Sequence, residues 1–350
     1  MINVVNVFVN GYGNIGRRLA FILSSDKDLH LIGIGKYSAD EKTKEALDNG
    51  LNVYVPEAKF EQFRDRKYDV SGTVEDAVRQ SDIVVDAAVE GRGFDNKKRL
   101  YEPMGKAAIF QGGEDRSGSR SVADMIHNSR VNYSLANGRR YVIQGSCNVS
   151  GMGRIMQPLS ERYGDQIKRF DVTIVRRWAD LEDSKDVRDS IEWDRDPHHQ
   201  NDVKAFLPSA NLFVEAYKVP SRMMHLHQMA IRFKTRAPSK EDVIETLHKE
   251  FGIAILNSAK STADVRKKAM DLGFKHGDTN MVHIHSDALR VQDDILKILY
   301  SDDQTGMVIP ENHLLLQSMA LGRPKHEAIQ KTDGLFSMTK RARILEDEFK

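Results

Sequence analysis

The chain has 350 residues, of which 40% are hydrophobic and 29% are charged, with 52 Lys and Arg against 51 Asp and Glu. This length is enough for two ordinary domains, and the balanced charge excludes a global field that would attract nucleic acid or an anionic membrane. No apolar run approaches the roughly 18 residues of a membrane span, and the N-terminus lacks the basic start of a signal peptide, so we expect a cytoplasmic protein that binds neither nucleic acid nor membrane.

Residues 3–10 alternate apolar and polar side chains and predict a strand, and residues 17–23 predict a helix. Between them lies Gly11-Tyr12-Gly13-Asn14-Ile15-Gly16, a G-x-G-x-x-G motif. Gly11 permits a tight turn, Gly13 lets the backbone approach a pyrophosphate, and Gly16 lets helix and strand pack closely. The N–H groups at the helix N-terminus would then bind phosphate. The motif in this setting predicts a dinucleotide-binding site.

A second strand, predicted over 29–35, should end where the adenosine ribose lies. NAD-specific sites usually place an Asp or Glu there, which accepts a hydrogen bond from the 2′-hydroxyl. This chain has Gly35-Lys36-Tyr37-Ser38 instead. A cation with a neighbouring hydroxyl suits a 2′-phosphate, so we expect Lys36 to bind NADP, with NAD also used. The alternative is a solvated lysine in a surface loop.

The rest of the first half alternates strands and helices. Further strands are predicted over 51–55, 83–88, 107–110 and 141–143. Thr73-x-x-Asp76 is typical of a capping box that opens a helix. This order predicts an α/β fold with a doubly wound parallel sheet, a nucleotide domain of the Rossmann type, over residues 1–146. Gly112 and Gly113 follow the strand 107–110 on the side where such sheets bind cofactors.

The chain has one cysteine, Cys147, which excludes an internal disulfide and a cysteine zinc cluster. A lone cysteine is more often a small buried apolar residue than a nucleophile. Cys147, however, follows the last predicted strand and precedes an apolar helical stretch. A helix N-terminus favours thiolate over thiol and lowers the pKa, so we expect a nucleophile. Backbone N–H groups at Cys147 and Asn148, with the Asn148 amide, could form an oxyanion hole.

After Cys147 the pattern predicts an α+β catalytic domain over 147–311 with a mostly antiparallel sheet. Its strands are predicted over 170–177, 212–219, 223–233 and 281–285. His225 and His227 lie two apart, so both face one side of a strand, and either could serve as a general base. The alternative is a structural pair, which is how we interpret His283-x-His285. Neither H-x-H pair has a third ligand at recognisable spacing, so no metal is expected.

Several segments resemble the archaeal-type (type II) phosphorylating glyceraldehyde-3-phosphate dehydrogenases, in that family's order and over most of the chain. They are residues 9–16, 109–114, 146–148, 175–177, 198–199, 224–227, Gln304 and 308–312. Two segments, 87–93 and 191–197, depart from the family's pattern. The resemblance implies a homotetramer, and a C-terminal helical segment 312–350 that packs back on the first domain.

The resemblance also implies roles for individual residues. It makes Cys147 the nucleophile and one of His225 and His227 the catalytic base, with His225 favoured. Together with the motifs it predicts cofactor contacts at Gly11, Gly13, Asn14, Ile15, Gly16, Lys36, Gly112, Gly113, Arg177 and Gln304. It predicts substrate contacts at Ser146, Asn148, Arg176, His198 and His199.

The implied reaction belongs to glycolysis and gluconeogenesis. The Cys147 thiolate attacks glyceraldehyde 3-phosphate, NAD(P)⁺ takes the hydride, and inorganic phosphate cleaves the thioester to give 1,3-bisphosphoglycerate. The alternative within this chemistry is another cysteine-dependent aldehyde or acyl-phosphate reductase, such as aspartate-semialdehyde dehydrogenase. A rival of another class is a nucleotide-binding regulator without catalysis, but the pair Cys147–Asn148 and the histidine pair argue against it.

Overall fold

The structure is a computed structural model that describes residues 4–183 and 185–350, so residue 3, the predicted start of the first strand, lies outside it. The described residues form two compact units. Unit 1 contains residues 4–127, 132–146 and 311–331, and unit 2 contains residues 128–131, 147–310 and 332–350. Each unit is therefore built from segments that are distant in the sequence.

Unit 1 contains a parallel sheet. Its strands are β1 Val5–Asn10, β2 Leu29–Gly35, β3 Val53–Val55, β4 Gly72–Thr73, β5 Ile83–Asp86, β6 Ala107–Gln111, β7 Ile126–His127 and β8 Tyr141–Gln144. Their spatial order is β4-β3-β2-β1-β5-β6-β8-β7, and all neighbours are parallel. The predicted doubly wound sheet is confirmed. The order reverses between β1 and β5, and such a switch point is where these sheets bind ligands.

The described α-helices before residue 147 are α1 Asn14–Leu23, α2 Glu41–Asp48, α3 Phe60–Asp65, α4 Val74–Gln80 and α5 Gly93–Asn96. Of these, α2 and α4 begin at side-chain caps. The predicted capping box at α4 is present, since Thr73 Oγ1 accepts from the Asp76 N–H and the Asp76 carboxylate accepts from the Thr73 N–H. Asp40 and Thr43 form a second capping box at the start of α2.

Unit 2 contains a mixed sheet. Its strands are β9 Ile167–Arg177, β10 Glu192–Asp194, β11 Leu212–Val219, β12 His225–Phe233, β13 Ile253–Leu256, β14 Val282–His285, β15 Arg290–Gln292 and β16 Ile295–Asp302. The order is β10-β11-β9-β12-β16-β14-β13, with β15 paired to β16. The pairs β9–β11 and β13–β14 are parallel, and the other described pairs are antiparallel, which confirms the prediction.

The helices from residue 147 onward are α6 Cys147–Tyr163, α7 His199–Phe206, α8 Lys240–His248, α9 Thr262–Asp271, α10 Gln304–Leu321, α11 Lys325–Phe336 and α12 Met338–Glu348. The expectation that residues 312–350 pack as one segment on the first domain needs correction. Residues 332–350 belong to unit 2. The reason is apolar burial, because Leu345 and Phe349 pack in a core with Leu256 of β13 and Val265 of α9. Among the described residues, no helix is both long enough and apolar enough to cross a membrane.

Candidate active site

The glycine loop between β1 and α1 has the close contacts that the motif requires. Gly11 has φ +132° and lies so close to the backbone of Ala87, just after β5, that a Cβ would collide. Gly16 packs equally closely on the Gly11 carbonyl group. A Cβ on Gly13 would meet nothing within 4 Å, so the loop is open there. Asn14 and Ile15 are the first two residues of α1. An open backbone at a helix N-terminus suits a pyrophosphate.

A buried hydrogen-bond network ties the ends of β1 and β5 together next to this loop. Asn10 Nδ2 donates to Tyr101 Oη over 2.7 Å, and Tyr101 Oη donates to Asp86 Oδ2 over 2.6 Å. Tyr37 Oη donates to Asn10 Oδ1 over 2.8 Å. Burial raises the pKa of Asp86 and holds the pKa of Tyr101 well above its usual value. These side chains fix the switch point, and the sequence offered no signal that pairs them.

Lys36 follows β2 as predicted, but its ammonium group already has an acidic partner. Nζ lies 2.8 Å from Asp40 Oδ2 and 3.0 Å from Ser38 Oγ, and the side chain is largely buried. Asp40 also caps α2 through the Thr43 N–H. The prediction took no account of Asp40, which supplies a carboxylate near the end of β2. A 2′-phosphate would have to compete with that carboxylate for Lys36.

Gly112 and Gly113 follow β6 and lie close to other loops of unit 1. A Cβ on Gly112 would come within 2.7 Å of the Ser146 nitrogen, so the chain before the cysteine passes directly beside Gly112. Segment 87–93, which differs from the family's pattern, is bound by the loop that follows β6. Glu114 Oε1 in that loop accepts hydrogen bonds from the N–H groups of Gly91 and Gly93 over 2.8 and 3.0 Å. The contact of Gly112 and Gly113 with a cofactor stays a prediction.

Cys147 is the first residue of α6, as the sequence predicts. The expected lowering of its pKa is wrong. Burial, and after it the Asp302 carboxylate, raise the pKa of the thiol above its ordinary value. Arg177 and the N–H of Asn148, which donates to the sulfur, act in the opposite direction but do not outweigh burial. Desolvation disfavours the thiolate here more strongly than the helix N-terminus favours it.

Three side chains converge at this helix terminus. The Cys147 sulfur, a ring nitrogen of His225 and a carboxylate oxygen of Asp302 all lie within 4.8 Å of one another. The antiparallel pairing of β12 and β16 sets His225 directly opposite Asp302. Among the described residues this is the one group of His, Cys, Asp or Glu compact enough to share a metal ion. The sequence prediction missed Asp302, because the register of the two strands cannot be read from the chain.

The two histidines of the pair have different contacts. The backbone N–H of Arg177 donates to His225 Nδ1 over 3.2 Å. His227, on the same face of β12, has Nδ1 2.9 Å from Tyr300 Oη and Nε2 3.3 Å from Asp302 Oδ2. Burial lowers the pKa of His227 to about 3 and that of His225 well below its usual value, so both rings are neutral. His225, not His227, belongs to the three-residue cluster.

Two predicted cofactor contacts meet at an acidic residue that the sequence analysis did not single out. Arg177 Nη2 lies 2.6 Å from Asp180 Oδ1, and Gln304 Nε2 donates to the same oxygen over 3.1 Å. Arg176 Nη2 instead lies 3.6 Å from Oδ2 of Asp194, which belongs to segment 191–197, the second segment that differs from the family's pattern. The two adjacent arginines therefore have separate acidic partners, as expected for neighbours on a strand.

The adjacent histidines before and at the start of α7 differ in surroundings. His199 is 2% exposed, and its Nε2 lies 3.2 Å from Asn148 Nδ2. Burial, and then His198, lower the pKa of His199 to about 2. His198 is more exposed and stacks on His199 with ring centroids 4.2 Å apart. His199 therefore contacts the residue after the nucleophile, while His198 faces outward.

The second H-x-H pair has the surroundings of a structural site. Both nitrogens of His283 have partners, since Nδ1 lies 3.2 Å from Ser301 Oγ and Nε2 lies 3.0 Å from Thr279 Oγ1. His285 Nε2 lies 3.1 Å from the same Ser301 oxygen. Both residues are buried in β14. These contacts support the structural interpretation.

Comparison with curated proteins finds relatives that match nearly the whole chain. A glyceraldehyde-3-phosphate dehydrogenase of Pyrobaculum neutrophilum is 33% identical over 346 residues, which is 96% of this chain and 98% of the relative. Proteins of the same name from Picrophilus torridus and Methanopyrus kandleri are each 34% identical, over 94% and 90% of this chain and 96% and 92% of their own. No family model matches the chain. With this identity over this coverage, the chain belongs to the archaeal-type glyceraldehyde-3-phosphate dehydrogenase family.

Proposed function

We propose that the chain oxidises glyceraldehyde 3-phosphate to 1,3-bisphosphoglycerate with NAD(P)⁺ and inorganic phosphate, through a thioester on Cys147. The observation that carries this proposal is the position of the single thiol at the start of α6, within 4.8 Å of His225. The names of the relatives supply the substrate. The phosphorylating step comes from the family resemblance.

The loop of Gly11, Gly13 and Gly16 fits the cofactor, because its open backbone at Gly13 leads into the N-terminus of α1. When bound, a nicotinamide cofactor supplies the acceptor for the hydride. We propose that the cofactor's pyrophosphate is held by this loop. Lys36 would hold a 2′-phosphate after exchanging its contact with Asp40, so both NADP and NAD are proposed as cofactors.

His225 is the histidine that we assign to the reacting atoms. Because Nδ1 accepts the Arg177 N–H, the neutral ring carries its proton on Nε2. An Nε2–H group donates to a developing oxyanion or to sulfur more readily than it accepts a proton. This favours a donor role over the role of base that was predicted from the sequence. His227, held between Tyr300 and Asp302, would support the cluster from outside.

The substrate phosphate needs cationic or donor groups near Asn148. We propose Arg176 and His198 for this task, because Arg176 keeps its charge and His198 faces outward. His199 is buried and neutral, so it would position the Asn148 amide for the oxyanion instead. Ser146 precedes the nucleophile and lies against Gly112. A homotetramer and a cytoplasmic location are retained as predictions that rest on the family resemblance and on the composition.

A rate assay tests the proposed function directly. Glyceraldehyde 3-phosphate and aspartate semialdehyde are each offered with NAD⁺ or NADP⁺, with and without phosphate. We expect turnover of glyceraldehyde 3-phosphate that requires phosphate, and at least tenfold slower use of the semialdehyde. Steady turnover that does not require phosphate would show that the thioester is cleaved by water and not by phosphate. Preference for aspartate semialdehyde would favour the alternative reductase, and no turnover of either would favour the regulator.

A further inference from the structure

We propose that Asp302 is the proton acceptor for the Cys147 thiol, an inference that rests on the thioester function proposed above. The carboxylate takes the proton from sulfur when sulfur attacks the aldehyde, and returns it when the acyl group leaves. Asp302 would thus be a further catalytic residue, on a different strand from the histidine pair.

The position of Asp302 supports this role. It is the last residue of β16 and is 0% exposed, with one oxygen within 4.8 Å of both the Cys147 sulfur and a His225 nitrogen. The N-terminal part of α6 packs on it, since a Cβ on Gly151 would lie 3.3 Å from Oδ2. Neither carboxylate oxygen has a hydrogen-bond partner among the described residues. A buried carboxyl group without such partners is costly in free energy, so it is rare outside functional sites.

The other titratable groups in or near the cluster are less suited to take the proton. His225 Nδ1 is engaged by the Arg177 N–H, so its neutral ring can only donate through Nε2. His227 reaches the cluster only through Asp302, over 3.3 Å. Asp180 is engaged with the Arg177 guanidinium over 2.6 Å. Among the described residues, Asp302 is the group within the cluster that has acceptor atoms to spare.

The groups around Asp302 set its pKa. His227 and Tyr300 face it from β12 and β16, Cys147 from α6, and Arg177 from β9. Asp303 adds a negative charge, but it is paired with Arg266 over 2.7 Å. Burial, and after it Asp303, raise the pKa of Asp302 well above its usual range, while Arg177 lowers it. This raised pKa is closer to the pKa of a thiol, and a smaller difference between the two pKa values makes proton transfer between the groups more efficient.

The two acids form a pair. Ionising both would place two negative charges within 4.8 Å of each other, one of them on a carboxylate that is 0% exposed, so Cys147 and Asp302 together hold one proton over a wide pH range. On attack, a sulfur lone pair forms the S–C bond, the carbonyl π pair moves to oxygen, and the S–H proton moves to Asp302, directly or through one water. The C=O bond re-forms as the hydride leaves for the nicotinamide, which gives the thioester. On phosphorolysis a hydrogenphosphate oxygen bonds to carbon, the S–C bond breaks, sulfur recovers the proton from Asp302, and the phosphate's proton goes to solvent.

The decisive test is the pH dependence of the first turnover in Asp302→Asn, measured as rapid NAD(P)H formation. Without an acceptor, attack must wait for a thiolate formed in solution equilibrium. We expect the rate at pH 7 to fall by about 10²–10⁴ and to rise about tenfold per pH unit, while the wild-type rate is level near neutrality. A level profile in the variant, or a rate within about threefold of wild type, would overturn the proposal.

Alkylation by iodoacetamide, without substrate or cofactor, gives a second readout. The S–H proton must also leave when iodoacetamide alkylates the sulfur, so alkylation at neutral pH should become several-fold slower in Asp302→Asn, in parallel with the first turnover. Tyr300→Phe is the matched control, since it alters the other end of the same buried contact with His227 without removing a carboxylate, and it should leave the alkylation rate nearly unchanged. An alkylation rate in Asp302→Asn that equals or exceeds that of wild type would show that Asp302 does not take the thiol proton, and the proposal would fail.

These arms separate the inference from the proposed function. If wild type does not oxidise glyceraldehyde 3-phosphate, the function fails, while the alkylation rates still decide whether Asp302 takes the proton of Cys147. If Asp302→Asn is poorly folded, as judged by circular dichroism, Asp302→Ala with added formate replaces it. Rescue of the first turnover by formate, without a similar effect on wild type, supports a proton acceptor, and absence of rescue contradicts it.

Discussion

The backbone N–H of Arg177 donates to Nδ1 of His225 over 3.2 Å, and this one hydrogen bond sets the chemistry of the histidine. A neutral imidazole has a single N–H, so the proton of His225 lies on Nε2. The backbone of strand β9 thereby determines which ring nitrogen of His225 carries the proton. His225 and His227 lie on the same face of one strand, but their hydrogen-bond partners differ, so their chemical roles differ.

His225→Asn is expected to lower kcat by about 10²–10⁴ with a modest change in KM, because a group that acts mainly in the transition state is lost. His227→Asn should reduce kcat by less than about tenfold, since His227 lies outside the three-residue cluster. Steady-state kinetics of both variants, with thermal unfolding as a control for folding, would check this. Near wild-type kcat in His225→Asn together with a large loss in His227→Asn would reverse the assignment.

Cys147→Ser should abolish turnover, and iodoacetamide should inactivate wild type with one equivalent per chain. The reason is that the chain has a single thiol, and the proposed covalent step has no substitute for it. Because burial raises the pKa of this thiol, inactivation should be slow at neutral pH and accelerate as pH rises. Peptide mapping locates the label. Substantial turnover in Cys147→Ser would exclude a thioester mechanism.

Lys36→Ala should raise the KM for NADP by about one to two decades and leave the KM for NAD nearly unchanged, because a charge-assisted contact is worth roughly 1.5–3 kcal/mol. Asp40→Asn should have the opposite effect on NADP, since it frees Lys36 from its carboxylate partner. Asn remains a good N-cap for α2, so the helix should be preserved. Equal changes for the two cofactors in both variants would remove Lys36 from the 2′-phosphate site.

Stability should fall as pH decreases below about 6.5. Burial lowers the pKa of His227 and His283 to about 3 and that of His199 to about 2, from a usual value of 6.5. Between these values the unfolded chain binds protons that the folded chain does not, so each histidine costs about 1.4 kcal/mol per pH unit. Thermal unfolding from pH 7.5 to 5 measures the slope. His283→Gln should flatten it, while the exposed control His326→Gln should not. A slope that is equal in all three proteins would contradict this origin.

The sequence predicts local structure well where a short pattern determines it. Strand β2 and strand β11 have the predicted ends, and Cys147 opens α6 as expected. The glycine loop is equally local, because Gly11 and Gly16 are required by contacts within one turn and the neighbouring strand. In these cases the periodicity and the turn residues lie within about a dozen positions of one another.

What the sequence did not predict depends on contacts between distant segments. Asp302 faces His225 only because β12 and β16 pair in one register, and the raised pKa of Cys147 follows from burial that no local pattern reveals. The placement of α12 was also wrong in the same way, since Leu345 and Phe349 bury against a core made by other segments. Helix termini and motifs in the sequence predict where a functional side chain lies. Its reactivity depends on desolvation and on partners from neighbouring strands, which the sequence does not reveal.

The central claim is a covalent acyl intermediate on Cys147, and its most direct measurement is intact mass spectrometry of a single turnover. The protein is mixed with glyceraldehyde 3-phosphate and NAD(P)⁺ without phosphate, then acid-quenched. We predict one 3-phosphoglyceroyl adduct per chain, mapped to Cys147, formed with an equivalent of NAD(P)H and discharged when phosphate is added. NAD(P)H formation without any adduct on Cys147, or an adduct that phosphate does not discharge, would contradict the account.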